Sequence, residues 1–106
     1  MKNVEIFNWQ DHGTCHYSVY VVLLKQVPKI KGKAYYIGMT GVSPEERFLN
    51  HKRGIKASRW VKRFGVALLR RDYIHLNPME EEQALRIEEE LAEKLLNLGF
   101  EVFGGH

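Results

Sequence analysis

The sequence predicts a small domain of the α/β class, of the α+β type, in which a sheet packs against helices. Residues 17–24 and 33–38 are rich in β-branched and aromatic residues and are separated by a loop with Pro and Gly, which is typical of two strands. Two later segments begin and end with helix-capping signals. A chain of 106 residues is long enough for one domain, so we expect a single domain over residues 1–106.

Alternation along the first two strands places two tyrosines on one side of the sheet. A strand turns successive side chains to opposite faces, so Tyr20 and Tyr36 lie near each other if the strands pair as an antiparallel hairpin. Residues 66–69 are apolar and consistent with a third strand. Residues 100–103 are consistent with a short edge strand.

The first helix is predicted by both of its ends. Ser43 is a good N-cap, Pro44 suits the first helical position, and Glu46 completes a capping box. We expect this helix to run to about Arg53 and to end at Gly54.

Two further helices follow from the same signals. A short helix is expected at residues 58–64, closed by Gly65. The segment 77–80 repeats the capping pattern and predicts a last helix that extends to about Leu98 and ends at Gly99.

The charge distribution indicates an anionic partner. Net charge is only +3, but residues 47–71 hold nine Lys or Arg and no acid, whereas residues 72–106 hold nine acids and two bases. A long segment of one sign is typical of a surface that binds nucleic acid, although a solvated surface beside an acidic helix gives the same pattern. The candidate nucleic-acid contacts are Lys52, Arg53, Lys56, Arg59, Lys62 and Arg63. Among them, Trp60 and Phe64 are expected to anchor the short helix in the core.

Composition excludes several classes of protein. With Cys15 as the single cysteine, an intrachain disulfide is impossible. No stretch approaches the ~20 apolar residues that span a bilayer, and the N-terminus has no apolar signal region. We therefore expect a cytoplasmic protein without a membrane partner.

Glu88 is the acid most suited to chemistry. Its neighbours one helical turn away are all apolar, so its side chain is expected to project toward the packed side of the last helix. A carboxylate directed at a core is costly unless it is paired or binds a cation. Both interpretations stay open at this point: a metal ligand, or a structural salt bridge, for example to Arg47.

Four other residues are candidates for a catalytic site. Arg47 and His51 are four residues apart and share a helix face. Arg offers a planar fork that matches phosphate oxygens, and His moves protons near neutral pH. The phenols of Tyr20 and Tyr36 can orient or deprotonate a water, if a metal ion and Arg47 favour the tyrosinate. Solvated helix residues and half-buried strand aromatics are the alternatives.

The order of these residues resembles the GIY-YIG nuclease domain. The resemblance covers residues 17–98, and its motifs are Ser18-Val19-Tyr20, Tyr36-Ile37-Gly38, Arg47-x-x-x-His51 and the segment 84–88 that ends on Glu88. In the first motif, Ser-Val replaces Gly-Ile. Two further departures are Met39, where some members carry lysine, and the lack of a clear equivalent of an asparagine near the end of the domain.

The resemblance implies a three-stranded antiparallel sheet flanked by helices. It implies that Glu88 binds a divalent ion, usually Mg²⁺ with other divalent ions possible, and that Arg47 contacts the phosphate. One of Tyr20 and Tyr36 positions or activates the attacking water, and His51 matches a position where members carry His or Tyr.

The sequence therefore predicts a metal-dependent endonuclease that hydrolyses phosphodiester bonds in DNA, with a possible protein partner that supplies specificity. The alternative is a catalytically inactive nucleic-acid-binding module. A weaker alternative is a protein-interaction domain that uses the acidic helix.

Overall fold

The computed structural model describes residues 16–69 and 78–104 of the chain. In chain order the elements are β1 (Ser18–Leu24), β2 (Ala34–Thr40), α1 (Pro44–Arg53), α2 (Arg59–Phe64), β3 (Gly65–Leu69), α3 (Glu81–Asn97) and β4 (Glu101–Gly104). Within these ranges, no helix combines the length and hydrophobicity needed to cross a membrane. The predicted single domain of residues 1–106 includes segments outside the described residues.

The sheet has four strands in the order β3-β1-β2-β4. β1 pairs antiparallel with both β2 and β3, whereas β4 lies parallel to β2. The α/β class is confirmed, but the expected three-stranded antiparallel sheet is wrong: the sheet is mixed and contains a fourth strand. The edge strand expected near residues 100–103 is present, and its direction is set by where α3 returns the chain, which local sequence does not encode.

Each face of the sheet is covered by helices, so the strands alternate between two cores. Tyr20 and Val22 face α1 and α2 and pack with Val61 of α2. Val19 and Ile37 face the other way and pack with Ala84 and other residues of α3. The predicted alternation of β1 is confirmed, and it sends Tyr20 to the face covered by α1.

The ends of α1 are confirmed. The Glu46 N–H donates to Ser43 Oγ (3.1 Å), and Gly54 ends the helix with φ of 85°, a left-handed conformation that favours glycine. The short helix predicted at residues 58–64 is present as α2, and Ser58 is its N-cap.

The start of α3 was predicted too early. The helix begins at Glu81, and its N-cap Glu80 makes no side-chain capping bond. Met79 instead forms a bridge with Tyr17, in which each N–H donates to the other's carbonyl (2.7 and 3.0 Å). This pairing holds the backbone extended at the position where the capping pattern predicts a helix. Asn77, the expected cap, lies outside the described residues.

Candidate active site

A close approach between β1 and β2 positions the first candidate side chain. Tyr20 and Gly38 are cross-strand partners, and a Cβ atom built on Gly38 would lie 2.7 Å from the Tyr20 hydroxyl oxygen. The phenol therefore lies directly over the β2 backbone, where any residue with a side chain would displace it. Gly38 is a site residue whose packing role the sequence alone does not reveal.

Three aromatic rings meet on the α1 face of the sheet. The Tyr20 ring centroid lies 6.1 Å from that of Tyr36 and 5.9 Å from that of His51, and the Tyr36 and His51 centroids are 5.7 Å apart. Tyr20 and His51 are buried, whereas Tyr36 is half-buried. The predicted proximity of the two tyrosines is confirmed.

Hydrogen bonds fix the tautomer of His51. The backbone N–H of Ser58 donates to His51 Nδ1 (2.9 Å), so Nδ1 carries no proton. In the neutral imidazole the proton is then on Nε2, which donates to the Tyr20 hydroxyl oxygen at 2.8 Å. Burial, with a smaller contribution from the Arg47 charge, lowers the pKa of His51 to about 4. His51 is thus a neutral donor at pH 7 that lies behind Tyr20 and is fully buried.

Tyr20 is held in its protonated form. Burial raises the pKa of the Tyr20 phenol above its ordinary value, Tyr36 adds to that rise, and the positive charge of Arg47 opposes it. The Tyr20 oxygen accepts a hydrogen bond from His51 Nε2–H, so the Tyr20 O–H hydrogen is left to donate to another acceptor.

Two backbone carbonyls orient the guanidinium of Arg47. Its Nη1 and Nη2 atoms donate to the carbonyls of Ile55 (3.3 Å) and Lys56 (2.8 Å) in the turn after α1. Lys56, whose carbonyl accepts one of these bonds, has a φ of 46° and so adopts the left-handed backbone conformation. A half-buried guanidinium held by two carbonyls keeps further N–H donors for an anion.

Glu88 lies on α3 and is 3% exposed, which confirms that it projects toward the packed side of the helix. It lines a cavity of about 190 Å³ that is also lined by Tyr20, Tyr36 and Arg47. Four of the five predicted catalytic residues therefore share one cavity, and the fifth, His51, contacts it through Tyr20.

The edge of the sheet explains how helices on opposite faces reach the same cavity. β2 is paired with β1 along its other edge, but its pairing with β4 ends at Ile37, so within the described part of the chain no strand lies on the β4 side of β2 at Gly38 and Met39. Both of these residues line the cavity. Arg47 from one face and Glu88 from the other line the same cavity at this uncovered edge.

The donor set at this edge suits a hard cation. Among residues 16–69 and 78–104, no three His, Cys, Asp or Glu side chains come together as a metal-binding group. A buried carboxylate and two phenols supply oxygen donors in this cavity beside the Arg47 guanidinium, and Mg²⁺ keeps several of its waters and needs few carboxylates. Glu88 therefore fits a magnesium site with one protein carboxylate.

The six predicted nucleic-acid contacts fall into two groups. The Lys52 ammonium donates to the carbonyls of Val61 (3.3 Å), Lys62 (3.1 Å) and Gly65 (2.9 Å), so it joins the end of α1 to the end of α2. The remaining five are exposed on α1, α2 and the turn between them: Arg53, Lys56, Arg59, Lys62 and Arg63.

Comparison with known proteins gives no match among family models, curated proteins or solved structures. The resemblance to the GIY-YIG domain therefore depends on the residues of this chain and their arrangement.

Sequence reasoning also missed Ser58 as a site residue. The sequence pattern places it only at the start of a short helix, yet its N–H selects the His51 tautomer while its Oγ accepts from the backbone N–H of Trp60 (3.1 Å). The available signal was its place at the start of α2, where backbone N–H groups lack helical partners and seek other acceptors.

Proposed function

We propose that this protein is a metal-dependent endonuclease that hydrolyses phosphodiester bonds in DNA, with the site arrangement of the GIY-YIG nucleases. The observation that carries the proposal is the cavity at the uncovered edge of β2. It gathers a buried carboxylate, an anchored guanidinium and two phenols from β1, β2, α1 and α3. A cation and a scissile phosphate both find partners of opposite charge in this cavity.

Glu88 is the residue proposed to hold Mg²⁺ or another divalent ion. Burial beside apolar Leu85 and Ile37 favours a bound cation, because a carboxylate in such surroundings gains little from water. When bound, the ion supplies stabilisation of the phosphate charge and of the leaving oxygen.

Arg47 is proposed to bind the phosphate. The two carbonyls of the following turn fix the plane of its guanidinium before substrate arrives. A donor that is already oriented needs little reorganisation free energy when negative charge develops on the phosphate. Arg47 therefore contributes electrostatic stabilisation of the transition state.

Tyr20 and Tyr36 are proposed to orient the attacking water. Tyr20 is fixed by Gly38 beneath it and by His51 Nε2–H, whereas Tyr36 has the greater access to solvent. His51 then acts through Tyr20 as a positioning residue. This refines the expectation that His51 handles the water itself, because the imidazole is fully buried and its Nε2–H is hydrogen-bonded to the Tyr20 hydroxyl.

The exposed basic residues that follow Arg47 are proposed to contact the DNA backbone. Contacts of this kind give salt-dependent affinity without sequence preference. Lys52 is left out of the proposed contact surface, because its ammonium binds three carbonyls. A protein partner that supplies specificity stays a prediction.

The direct test is nicking of supercoiled plasmid by the purified protein. With Mg²⁺ the protein should convert plasmid to the nicked form, and EDTA or Glu88→Ala should stop the conversion. Glu89→Ala changes a neighbouring exposed acid and serves as the matched control. Equal cutting by all of the proteins would reject the proposal, because it would place the activity elsewhere.

A binding module without catalysis is the second candidate. The observation that favours it is Met39, which lines the cavity at the position where some GIY-YIG members carry lysine. Such a module would bind DNA with a steep dependence on salt and leave it intact with every divalent ion tried.

A further inference from the structure

A groove separate from the candidate active site lies between α2 and β4. Its volume is about 510 Å³, within the range of about 300–1,000 Å³ that is usual for small-molecule sites. Aromatic and charged side chains line it together: Arg59, Trp60, Arg63, Phe64, Glu101 and Phe103.

Two stacked aromatic rings line the groove. The rings of Trp60 and Phe103 stack with centroids 4.4 Å apart at 27°, and both residues are half-buried. The guanidinium of the exposed Arg59 lies over the Trp60 ring, 4.9 Å from its centroid. Aromatic rings and guanidinium planes are the surfaces on which proteins stack unpaired nucleobases.

The charges in the groove select for a nucleotide with an accessible base. Arg59 and Arg63 are exposed and attract phosphate, whereas the exposed Glu101 repels it. A carboxylate accepts hydrogen bonds from the exocyclic amino group of a base. A phosphate alone would therefore meet opposed charges here, and a base with its phosphate would meet complementary ones.

The groove is joined to the candidate active site by a short series of hydrogen bonds. The backbone N–H of Trp60 donates to Ser58 Oγ, and the backbone N–H of Ser58 donates to His51, which in turn donates to Tyr20. The element that carries the groove thus also carries the amide that fixes the active-site imidazole.

We propose that this groove binds an unpaired nucleobase of the substrate, so that the substrate class is DNA with a single-stranded segment beside the cleavage site. The inference rests on the proposed nuclease function, which it deepens by naming the substrate. Intact duplex keeps its bases stacked and cannot fill the groove.

Tryptophan fluorescence tests the proposal without cleavage. The chain has two tryptophans, so Trp9→Phe leaves Trp60 as the single indole reporter. In EDTA, a short single-stranded oligonucleotide should quench the Trp60 fluorescence, and the same sequence as a blunt duplex should not. Binding of each DNA is followed independently by the anisotropy of a dye on its end. Bound single strand that leaves the Trp60 emission unchanged would overturn the inference.

A matched pair of variants tests the same groove by affinity. Arg59→Ala removes a stacking plane together with a phosphate contact, so it should weaken binding of the single strand about tenfold and binding of the duplex less, through the lost phosphate contact alone. Arg86→Ala removes an exposed arginine from α3, on the other face of the sheet, and should not discriminate between the two DNAs. Trp60→Leu, checked by thermal unfolding, should abolish the preference for single strand. Equal effects on both DNAs would show phosphate contacts alone and reject the base site.

Failure of this inference and failure of the proposed function are distinguishable. Plasmid nicking that depends on Glu88, with no quenching of Trp60, rejects the base site and leaves the nuclease in place. Cleavage of a flapped substrate at the junction, faster than cleavage of linear duplex and slowed by Arg59→Ala, would support the base site.

Discussion

The Tyr20 hydroxyl occupies the space beside the Gly38 α-carbon on the neighbouring strand. This contact requires a glycine at one partner and a long polar ring at the other. It holds the phenol at the uncovered edge of β2, in the cavity that also contains Arg47 and Glu88. The absence of a side chain at Gly38 therefore fixes the position of Tyr20 in the candidate catalytic site.

Gly38→Ala should damage both stability and activity. The new methyl group would lie 2.7 Å from the Tyr20 hydroxyl oxygen, so the ring or the strand must move. Overpacking of this kind costs about 1–3 kcal/mol in the free energy of unfolding, measurable by urea titration. Displacement of Tyr20 should also lower the nicking rate, even at temperatures where the variant is folded.

Gly41→Ala is the control for that substitution. A Cβ atom at position 41 would meet its nearest neighbours, on His16 and Tyr17, at 3.9 Å, an ordinary contact. We expect this variant to keep wild-type stability and activity within a factor of two or so, roughly the spread of surface substitutions. Equal damage from both alanines would show that the Tyr20 contact is not what matters.

Stability should fall on mild acidification because of His51. Its pKa is about 4 in the folded protein and 6.5 in the reference state, so between these values the unfolded chain binds the proton more readily. The contribution is fully present above pH 6.5 and is lost as the pH falls through about 4. We expect a loss on the order of 1–3 kcal/mol over this window.

Urea unfolding between pH 7 and about 5 measures the effect above the range in which most carboxylates titrate. His51→Gln should lower stability at pH 7, since it disrupts the bonds to Ser58 and Tyr20, and should flatten the pH dependence. An unchanged slope in the variant would mean that another group is responsible.

Arg47→Lys should not preserve activity. The planar guanidinium fork bonds the carbonyls of Ile55 and Lys56 through two nitrogens and presents further donors, whereas a lysine ammonium has all of its donors on one nitrogen and lacks the planar fork. We expect the cleavage rate to fall by about 10²–10³-fold with DNA affinity much less affected. Single-turnover cleavage at saturating protein separates the two quantities. A rate for the lysine variant close to wild type would argue that the charge alone suffices.

Lys52 and Arg53 are adjacent bases that should behave differently. Lys52→Ala removes a donor to three carbonyls and should lower the free energy of unfolding by about 1–3 kcal/mol. Arg53→Ala changes an exposed side chain and should leave stability unchanged, while it lowers the slope of log affinity against log salt by about 1. Calorimetry and salt-dependent anisotropy measure the two effects. The reverse pattern would contradict the assignment of these residues.

Local signals predicted most of the elements. The helix α1 was bounded correctly because Ser43, Pro44 and Gly54 act within a few residues of themselves. Strand alternation placed Tyr20 and Tyr36 on one face for the same reason. The buried direction of Glu88 followed from its apolar neighbours one turn away on the helix.

Long-range features could not be predicted in the same way. The parallel pairing of β4 depends on where α3 ends, and the late start of α3 depends on the bridge between Met79 and Tyr17. The tautomer of His51 depends on an amide seven residues later, at the start of another helix. Each of these features is determined by tertiary packing, which the local propensities and residue spacing of the sequence do not report.

The most direct test of the central claim is the Mg²⁺-dependent cleavage rate of Glu88→Gln beside that of Glu89→Gln. The first variant keeps the shape of the buried side chain and removes its charge, and the second makes the same change at an exposed neighbour. We predict a loss of at least about 10²-fold for Glu88→Gln, as for removal of one stabilising group, and wild-type activity for Glu89→Gln. Wild-type cleavage by a folded Glu88→Gln protein would contradict the proposed site.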